Sequence, residues 1–180
     1  MFATSRGAWR ARSKARERLV SRRLAKIFLS GCVGLLALLI GLDNVFDYGT
    51  NFVGVQHILS MDTLPAGSAF SWRSVTLPAL HHVAYAGIIL VEVGSGLLCL
   101  FGALRLWRAI RADGARFDAA KDVAVIGLTA AFALYFFGFM VVGGEWFEMW
   151  RSNGWNMQEA AFRFAGAIGV VLIFVNQPDV

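Results

Sequence analysis

The residue with the clearest chemical potential is Glu92, a carboxylate inside a long apolar stretch. It lies 14 residues after Pro78 and 13 before Arg105. At about 1.5 Å per helical residue it would stand near the middle of a membrane span. A charged side chain there costs roughly 2.5–3.5 kcal/mol, so such residues usually face a bundle interior and mark a pathway, a proton site or a partner. The alternative is a protonated Glu that only hydrogen-bonds a neighbouring helix, and both interpretations stay open.

A polar stripe accompanies this carboxylate. His81, Tyr85 and Glu92 are separated by 4 and 7 residues, a spacing that places them on one face of a helix. The stripe would run from the outer end of the helix to its middle and is a candidate path for a proton or a cation. A helix that merely packs against its neighbours would also turn its polar groups to this side.

A second group of polar residues gathers near the predicted outer ends of the helices. This candidate outer polar cluster comprises Asp43, Asp47, His57, His82, Glu145, Glu148 and Arg163. The sequence has no His-Glu-x-x-His pattern and no paired Cys, the spacings that zinc sites use. We therefore predict no metal and no cofactor. Arg163 is expected to form an ion pair with Glu145 or Glu148.

The elements that must position these groups are four apolar stretches. The hydrophobic content of 57% exceeds the ~45–50% of soluble domains, and each stretch approaches the roughly 20 residues that cross a bilayer as a helix. A barrel would show alternating polarity instead. The sequence predicts an all-α, four-helix transmembrane bundle, residues 24–180, with helices at about 24–46, 78–104, 122–143 and 157–175.

The distribution of positive charge predicts the orientation. Of the 17 Lys and Arg, nine lie between Arg6 and Lys26 and five between Arg105 and Lys121. By the positive-inside rule both chain ends and the middle loop are cytoplasmic, in a multi-pass membrane protein. All six Trp fall near a predicted interface, as in an aromatic belt. The basic N-terminal arm, residues 1–23, is interpreted as a topology signal that touches anionic lipid, not nucleic acid.

The first outer connection, about Asp47–Leu77, is too long for an unstructured loop and predicts a folded extracytoplasmic cap between the first two helices. Within it an amphipathic helix is expected, with one apolar side formed by Phe52, Val55, Ile58, Leu59 and Met61.

Three local patterns predict how the helices pack. The short link Arg105–Lys121 makes the second and third helices antiparallel neighbours. Asn156 and Glu159 resemble a capping box at the start of the fourth helix. Ala161, Ala165 and Gly169 recur every four residues, which would let another helix approach closely. Whether that helix belongs to this chain or to a second copy stays open.

Several blocks of the sequence resemble a bacterial family of predicted small integral membrane proteins, catalogued as domain of unknown function number twenty-one sixty-five. The blocks are Asp47–Phe52, Val55–Thr63, Trp72-Arg73, Pro78–His82, Gly143–Phe147 and Gln158–Arg163. The resemblance covers about Ala25 to Asp179. It implies a four-helix inner-membrane protein and no assigned activity.

Three hypotheses of function follow. The first is a non-enzymatic membrane protein that binds a partner subunit, a lipid or a small solute at its extracytoplasmic polar face. The second is a small transporter or proton-coupled channel that works through His81, Tyr85 and Glu92. The third, a membrane redox protein, needs a cofactor that the sequence does not predict. Expected partners are membrane lipid and either further copies of the chain or a larger membrane complex, with no nucleic acid.

Overall fold

The computed structural model describes the backbone of residues 3–179 and the side chains of residues 17–179. Over this range the chain is helical and contains no strand. The helices are α1 (Ala3–Phe46), α2 (Tyr48–Ser60), α3 (Pro78–Arg108), α4 (Gly114–Ala119), α5 (Asp122–Ala133) and α6 (Gln158–Asn176). Helix α5 continues without a break into a π-helix, Leu134–Trp146, and short 3₁₀ turns lie at Ser71–Arg73 and Met149–Arg151.

Four helical segments are long and apolar enough to cross a membrane. They are Glu17–Phe46, Pro78–Arg108, Gly114–Trp146 and Gln158–Asn176. The predicted all-helical fold with four spans is therefore confirmed. The basic arm and the first span form one continuous helix, because α1 begins at Ala3. Most side chains of the predicted arm, including Trp9, lie outside the described residues, and the division of the chain at residue 23 stays a prediction.

Glycines bring α1, α3 and α5 into direct backbone contact. A Cβ placed on Gly96 of α3 would lie 2.7 Å from the backbone nitrogen of Leu38 on α1. One on Gly102 would lie 2.5 Å from the backbone nitrogen of Ala124 on α5. Lipid supplies no hydrophobic force between helices, so close packing of small residues is what holds them together. Helices α3 and α5 are neighbours, as the short link between them predicted.

The small residues of α6 also allow a neighbouring helix to pack closely. Ala161 and Ala165 are buried against Ala131 and Tyr135, and a Cβ on Gly169 would lie 3.3 Å from the ring of Phe132. The close neighbour of this stripe is therefore the α5/π-helix segment of the same chain.

The predicted capping box at the start of α6 is wrong. The helix begins at Gln158, and the Asn156 side chain accepts a hydrogen bond from the Gln158 backbone N–H at 3.1 Å. This is the Asx-turn geometry that Asn favours two residues ahead of a donor. Glu159 is paired instead with Arg163.

A buried ionic cluster joins the segment after α6 to the start of the first span at one end of the bundle. The Asp179 carboxylate is fully buried, 3.2 Å from Lys26 Nζ, 3.5 Å from Lys121 Nζ and 3.6 Å from Arg23 Nε. The cluster ties the end of the chain to the start of the first span and to the segment before α5. Removing one partner of a buried ion pair is strongly destabilising, because it leaves the other charge uncompensated.

Helix α2 and the segment that follows it pack at the opposite end of the bundle. Ile58 and Met61 are buried against Phe147 and Met149. The backbone N–H of Val75 donates to the carbonyl of Leu59 at 2.8 Å, which folds the segment back on α2. Pro78 occupies the first turn of α3, as expected from its fixed φ.

The contact between α3 and α5 predicts opposite effects for two Gly→Ala substitutions on one helix. Gly102→Ala forces α3 and α5 apart and should lower stability by about 1–3 kcal/mol, the usual effect of overpacking. At Gly94 a Cβ would meet no atom within 4 Å. Gly94→Ala should therefore leave stability unchanged or slightly raised, because Ala favours helix. Thermal unfolding in one detergent compares the two variants, and equal melting temperatures would refute the contact.

Candidate functional site

Glu92 is buried in the middle of α3 and is held by an amide instead of a cation. Its side chain is only 3% exposed, and its Oε2 accepts a hydrogen bond from Asn44 Nδ2 on α1 at 2.7 Å. The Ser95 hydroxyl is directed to the backbone carbonyl of Glu92, at 3.1 Å. The carboxylate therefore lies at membrane depth with a neutral partner.

A series of hydrogen bonds connects Glu92 to the end of the bundle that carries α2. Asn51 on α2 is exposed, and its Nδ2 donates to Asn44 Oδ1 at 2.7 Å. Asn44, which is 4% exposed, then donates to Glu92. These hydrogen bonds thus link α2, α1 and α3. Asn51 donates to Asn44, and Asn44 donates to the carboxylate.

A cavity of about 250 Å³ opens beside these hydrogen bonds. Its polar lining consists of Asn44, Asn51, Tyr85, Glu92 and Tyr135. The remaining lining is apolar: Ile40, Val55, Ile88, Phe139, Met157, Ala160, Ala161 and Phe164. An apolar enclosure with a few converging polar groups is typical of small-molecule sites.

Tyr135 lines this cavity and carries a buried hydroxyl without a hydrogen-bond partner among the described residues. The residue is 5% exposed, and its hydroxyl makes no hydrogen bond within residues 17–179. Leaving such a buried group unpaired costs about 1–3 kcal/mol. Its ring packs against Phe139 at 5.9 Å and Phe164 at 4.8 Å between centroids.

Tyr135 and Phe139 belong to the π-helix, which extends over 13 residues. This is much longer than the single turn in which π-helix ordinarily occurs, frequently at functional sites. The wider helix places both rings along the cavity wall.

The cavity favours a positive charge or a hydrogen-bond donor. Among its lining residues the ionisable groups are Glu92, Tyr85 and Tyr135, and none is Lys, Arg or His. A carboxylate in an apolar enclosure attracts a cation strongly, because the surroundings screen the charge weakly. An anion would meet repulsion with no basic group to offset it.

A second cavity of about 210 Å³ adjoins the first and is almost wholly apolar. It lies between α2, α3 and the π-helix. The linings of the two cavities share four residues, Val55, Ile88, Phe139 and Met157. The two cavities therefore lie side by side, with these four residues in the wall of both.

The structure brings together two of the three residues of the predicted polar path. Tyr85 and Glu92 line the polar cavity, and the Tyr85 hydroxyl donates to the Asn44 carbonyl at 3.5 Å. His81 is 2% exposed and donates from Nε2 to the Val75 carbonyl at 2.6 Å, and it lines neither of the two cavities. Conduction along the path stays a prediction.

The histidines of the outer polar cluster have separate local partners. His57 donates to Asp62 at 2.9 Å and stacks on Trp155. His82 Nδ1 lies 2.8 Å from the Tyr48 hydroxyl, and its ring stacks on Phe52.

The acids of the cluster are also dispersed. Asp43 and Glu145 are exposed, and Asp47 accepts from Thr50 at 2.8 Å. Within the side chains that the structure describes, no three His, Cys, Asp or Glu converge as metal ligands would. Binding at the predicted outer polar cluster stays a prediction.

The expected ion pair from Arg163 to Glu145 or Glu148 is wrong. Arg163 pairs with Glu159, one turn earlier on α6, and both side chains are exposed. The partner at i−4 is always within reach on a helix. Glu148 is occupied elsewhere, since it accepts from Ser68 and, at 2.9 Å, from Arg151.

Three residues of the site were missed by the sequence reasoning: Asn44, Asn51 and Tyr135. Asn44 and Asn51 are separated by 7 residues, about two helical turns. Tyr135 lies 13 residues into its span from Asp122, which matches the depth of Glu92. Agreement in depth is the signal that could have singled it out.

The contacts of Glu148 are predicted to stabilise the segment after α2 in a pH-dependent way. The hydrogen bond from Ser68 and the nearby Arg151 hold the pKa of Glu148 below its usual 4.5. A lowered pKa in the folded state means that the contact stabilises above pH 4.5 and is lost as pH falls through the folded-state pKa. Glu148→Gln should therefore speed hydrogen exchange in residues 61–77 at pH 7, after correction for intrinsic rates.

The difference between wild type and Glu148→Gln should shrink at acid pH. Glu145→Gln, an exposed acid three residues earlier, is the control and should match wild type at both pH values. A difference that persists below the titration of Glu148 would contradict the electrostatic origin of the contact.

Comparison with known proteins assigns the chain to a family. Residues 22–178 match the model of the family described as predicted small integral membrane protein (DUF2165). No curated protein and no solved structure matches the chain. The match covers most of the sequence and agrees with the four apolar helices. The chain belongs to the DUF2165 family of predicted small integral membrane proteins, to which no activity is assigned.

Proposed function

We propose that this chain is a non-enzymatic membrane protein that binds a small solute in the polar cavity beside Glu92. One observation carries the proposal: a buried carboxylate and an unpartnered Tyr135 hydroxyl line one cavity of about 250 Å³. Ionisable groups at membrane depth are expensive and are usually retained for function. A solute with hydrogen-bond donors would satisfy both groups.

The proposed binding site lies inside the bundle and not on the outer surface, where the sequence predicted it. Several polar groups of the outer surface are already paired locally, as in His57–Asp62 and Arg163–Glu159. Such exposed pairs contribute little and need no ligand. Glu92, by contrast, has only an amide as partner and no cation within ion-pair distance among the described side chains.

In the proposed topology α2 and the segment after it form an extracytoplasmic cap over the cavity. Asn51 and Val55 of α2 belong to the cavity lining. Basic residues gather at the other end of the bundle, at Arg22, Arg23 and Lys26 and along 105–121. The positive-inside rule supports a cytoplasmic location for that end, in a bacterial inner membrane.

Transport, or proton-coupled conduction, is the second candidate. The chain Asn51–Asn44–Glu92 reaches from an exposed residue to the middle of the bundle and favours it. On the inner side of Glu92, however, Gly96, Cys99 and Leu128 are buried and closely packed. A transporter would need a second conformation that opens this side, so binding is the function that this geometry supports best.

A cysteine-accessibility experiment tests whether solutes reach the cavity. In a background with Cys32→Ala and Cys99→Ala, Ile88→Cys places a thiol where both cavities meet. The cationic reagent 2-aminoethyl methanethiosulfonate should modify it about tenfold or more faster than the anionic sulfonatoethyl analogue, because the Glu92 field concentrates cations. Mass spectrometry measures the rates in lipid nanodiscs.

Leu90→Cys is the matched control, two residues away on α3 with 73% of its side chain exposed on the outer surface of the helix. It faces lipid in the proposed arrangement and should react slowly with both reagents. If Ile88→Cys is as slow as Leu90→Cys, aqueous solutes do not enter and the proposed function fails.

A further inference from the structure

The wall of the polar cavity contains an aromatic group beside the carboxylate. Tyr135 packs between Phe139 and Phe164, and all three line the cavity with Glu92. The faces of aromatic rings carry partial negative charge and attract cations. Rings and carboxylate together form the kind of surrounding that stabilises an organic ammonium ion.

The hydrogen-bonding groups indicate how many donors the ligand brings. Within residues 17–179 the carboxylate of Glu92 accepts one hydrogen bond, to Oε2 from Asn44. That hydrogen bond leaves Oε1 available as an acceptor, and the Tyr135 oxygen is buried without a partner in the same range. An ammonium with several N–H donors can satisfy both, since each N–H needs its own acceptor. A quaternary ammonium has no N–H and would leave both unpaired.

The adjoining apolar cavity indicates which substituent the ammonium ion has. It measures about 210 Å³, and its lining is apolar along α2, α3 and the π-helix. Ile88 and Phe139 belong to both linings, so the apolar cavity lies next to the polar one, and a tail attached to a head group at Glu92 would pass these two side chains to enter it. Each CH₂ that is buried there adds to the affinity.

We infer that the ligand is a primary alkylammonium, with its N–H groups on Glu92 and Tyr135 and its alkyl chain in the apolar cavity. The inference rests on the proposed function and specifies its ligand class. A carboxylate ligand would be repelled by Glu92. A neutral alcohol would lose the ionic attraction that the apolar surroundings strengthen.

Thermal unfolding of the full chain in nanodiscs, titrated with hexylammonium, tests the inference. Wild type should be stabilised in a saturable way, and the apparent affinity should rise from ethylammonium to hexylammonium. Glu92→Gln keeps an oxygen for Asn44 but removes the charge, and should weaken binding about tenfold or more. Tyr135→Phe removes a single hydroxyl and should weaken it roughly fivefold. The second variant keeps the test valid if the first unfolds.

The ligand class is tested with three further probes at equal concentration: hexanol, hexanoate and hexyltrimethylammonium. Leu90→Ala, on the outer surface of α3, is the control for unspecific partition of the probes into lipid. Stabilisation by hexylammonium alone, lost in the two site variants and kept in Leu90→Ala, supports the inference. In a different outcome, hexanol or hexyltrimethylammonium stabilises wild type as much as hexylammonium does, and the stabilisation is reduced in both site variants. That result would refute a primary ammonium as the ligand class and would leave the proposed solute binding standing. If no probe stabilises and Ile88→Cys stays unreactive, the inference and the proposed function both fail.

Discussion

The rest of the structure depends on keeping a carboxylate at membrane depth. Glu92 would cost roughly 2.5–3.5 kcal/mol against lipid, so α3 must turn this face inward and other elements must supply polar partners. Asn44 of α1 is the direct partner, and Asn51 of α2 supports Asn44. The position of α2 at the end of the bundle is thus coupled to the middle of the membrane. Loss of either amide would leave a buried acceptor short of donors.

The bundle meets this requirement by packing its two halves differently. Toward the ionic cluster around Asp179, Gly96, Gly102 and Gly127 let α1, α3 and α5 approach to backbone contact. Toward α2, the broad π-helix and the ring of Tyr135 separate the helices and leave two adjoining cavities. Tight packing on one side and separation on the other explain why the polar groups of the site lie around a space and not against each other.

Properties that are local in sequence were predictable, and properties that depend on helix rotation were not. Hydropathy and small-residue spacing predicted the four spans and the packing face of Ala161, because each depends on residues within one helix. The outer polar cluster shared a depth, but depth does not determine which way a side chain points around its helix. The partner of Arg163 was mistaken because a residue on its own helix, Glu159, competed successfully. Tyr135 was missed because a single Tyr in an apolar run looks like ordinary core.

The most direct test is a solid-state NMR distance between the nitrogen of ¹⁵N-hexylammonium and the side-chain carboxyl carbons of ¹³C-labelled Glu in lipid bilayers. The chain has five Glu, and Glu92→Gln identifies the Glu92 signal by its disappearance. A primary ammonium bound as inferred would lie within about 4 Å of the Glu92 carboxyl carbon, the distance that an N–H···O hydrogen bond imposes. Dipolar dephasing should therefore be strong for Glu92. A Glu92 signal that shows no dephasing at saturating hexylammonium would contradict an alkylammonium at Glu92.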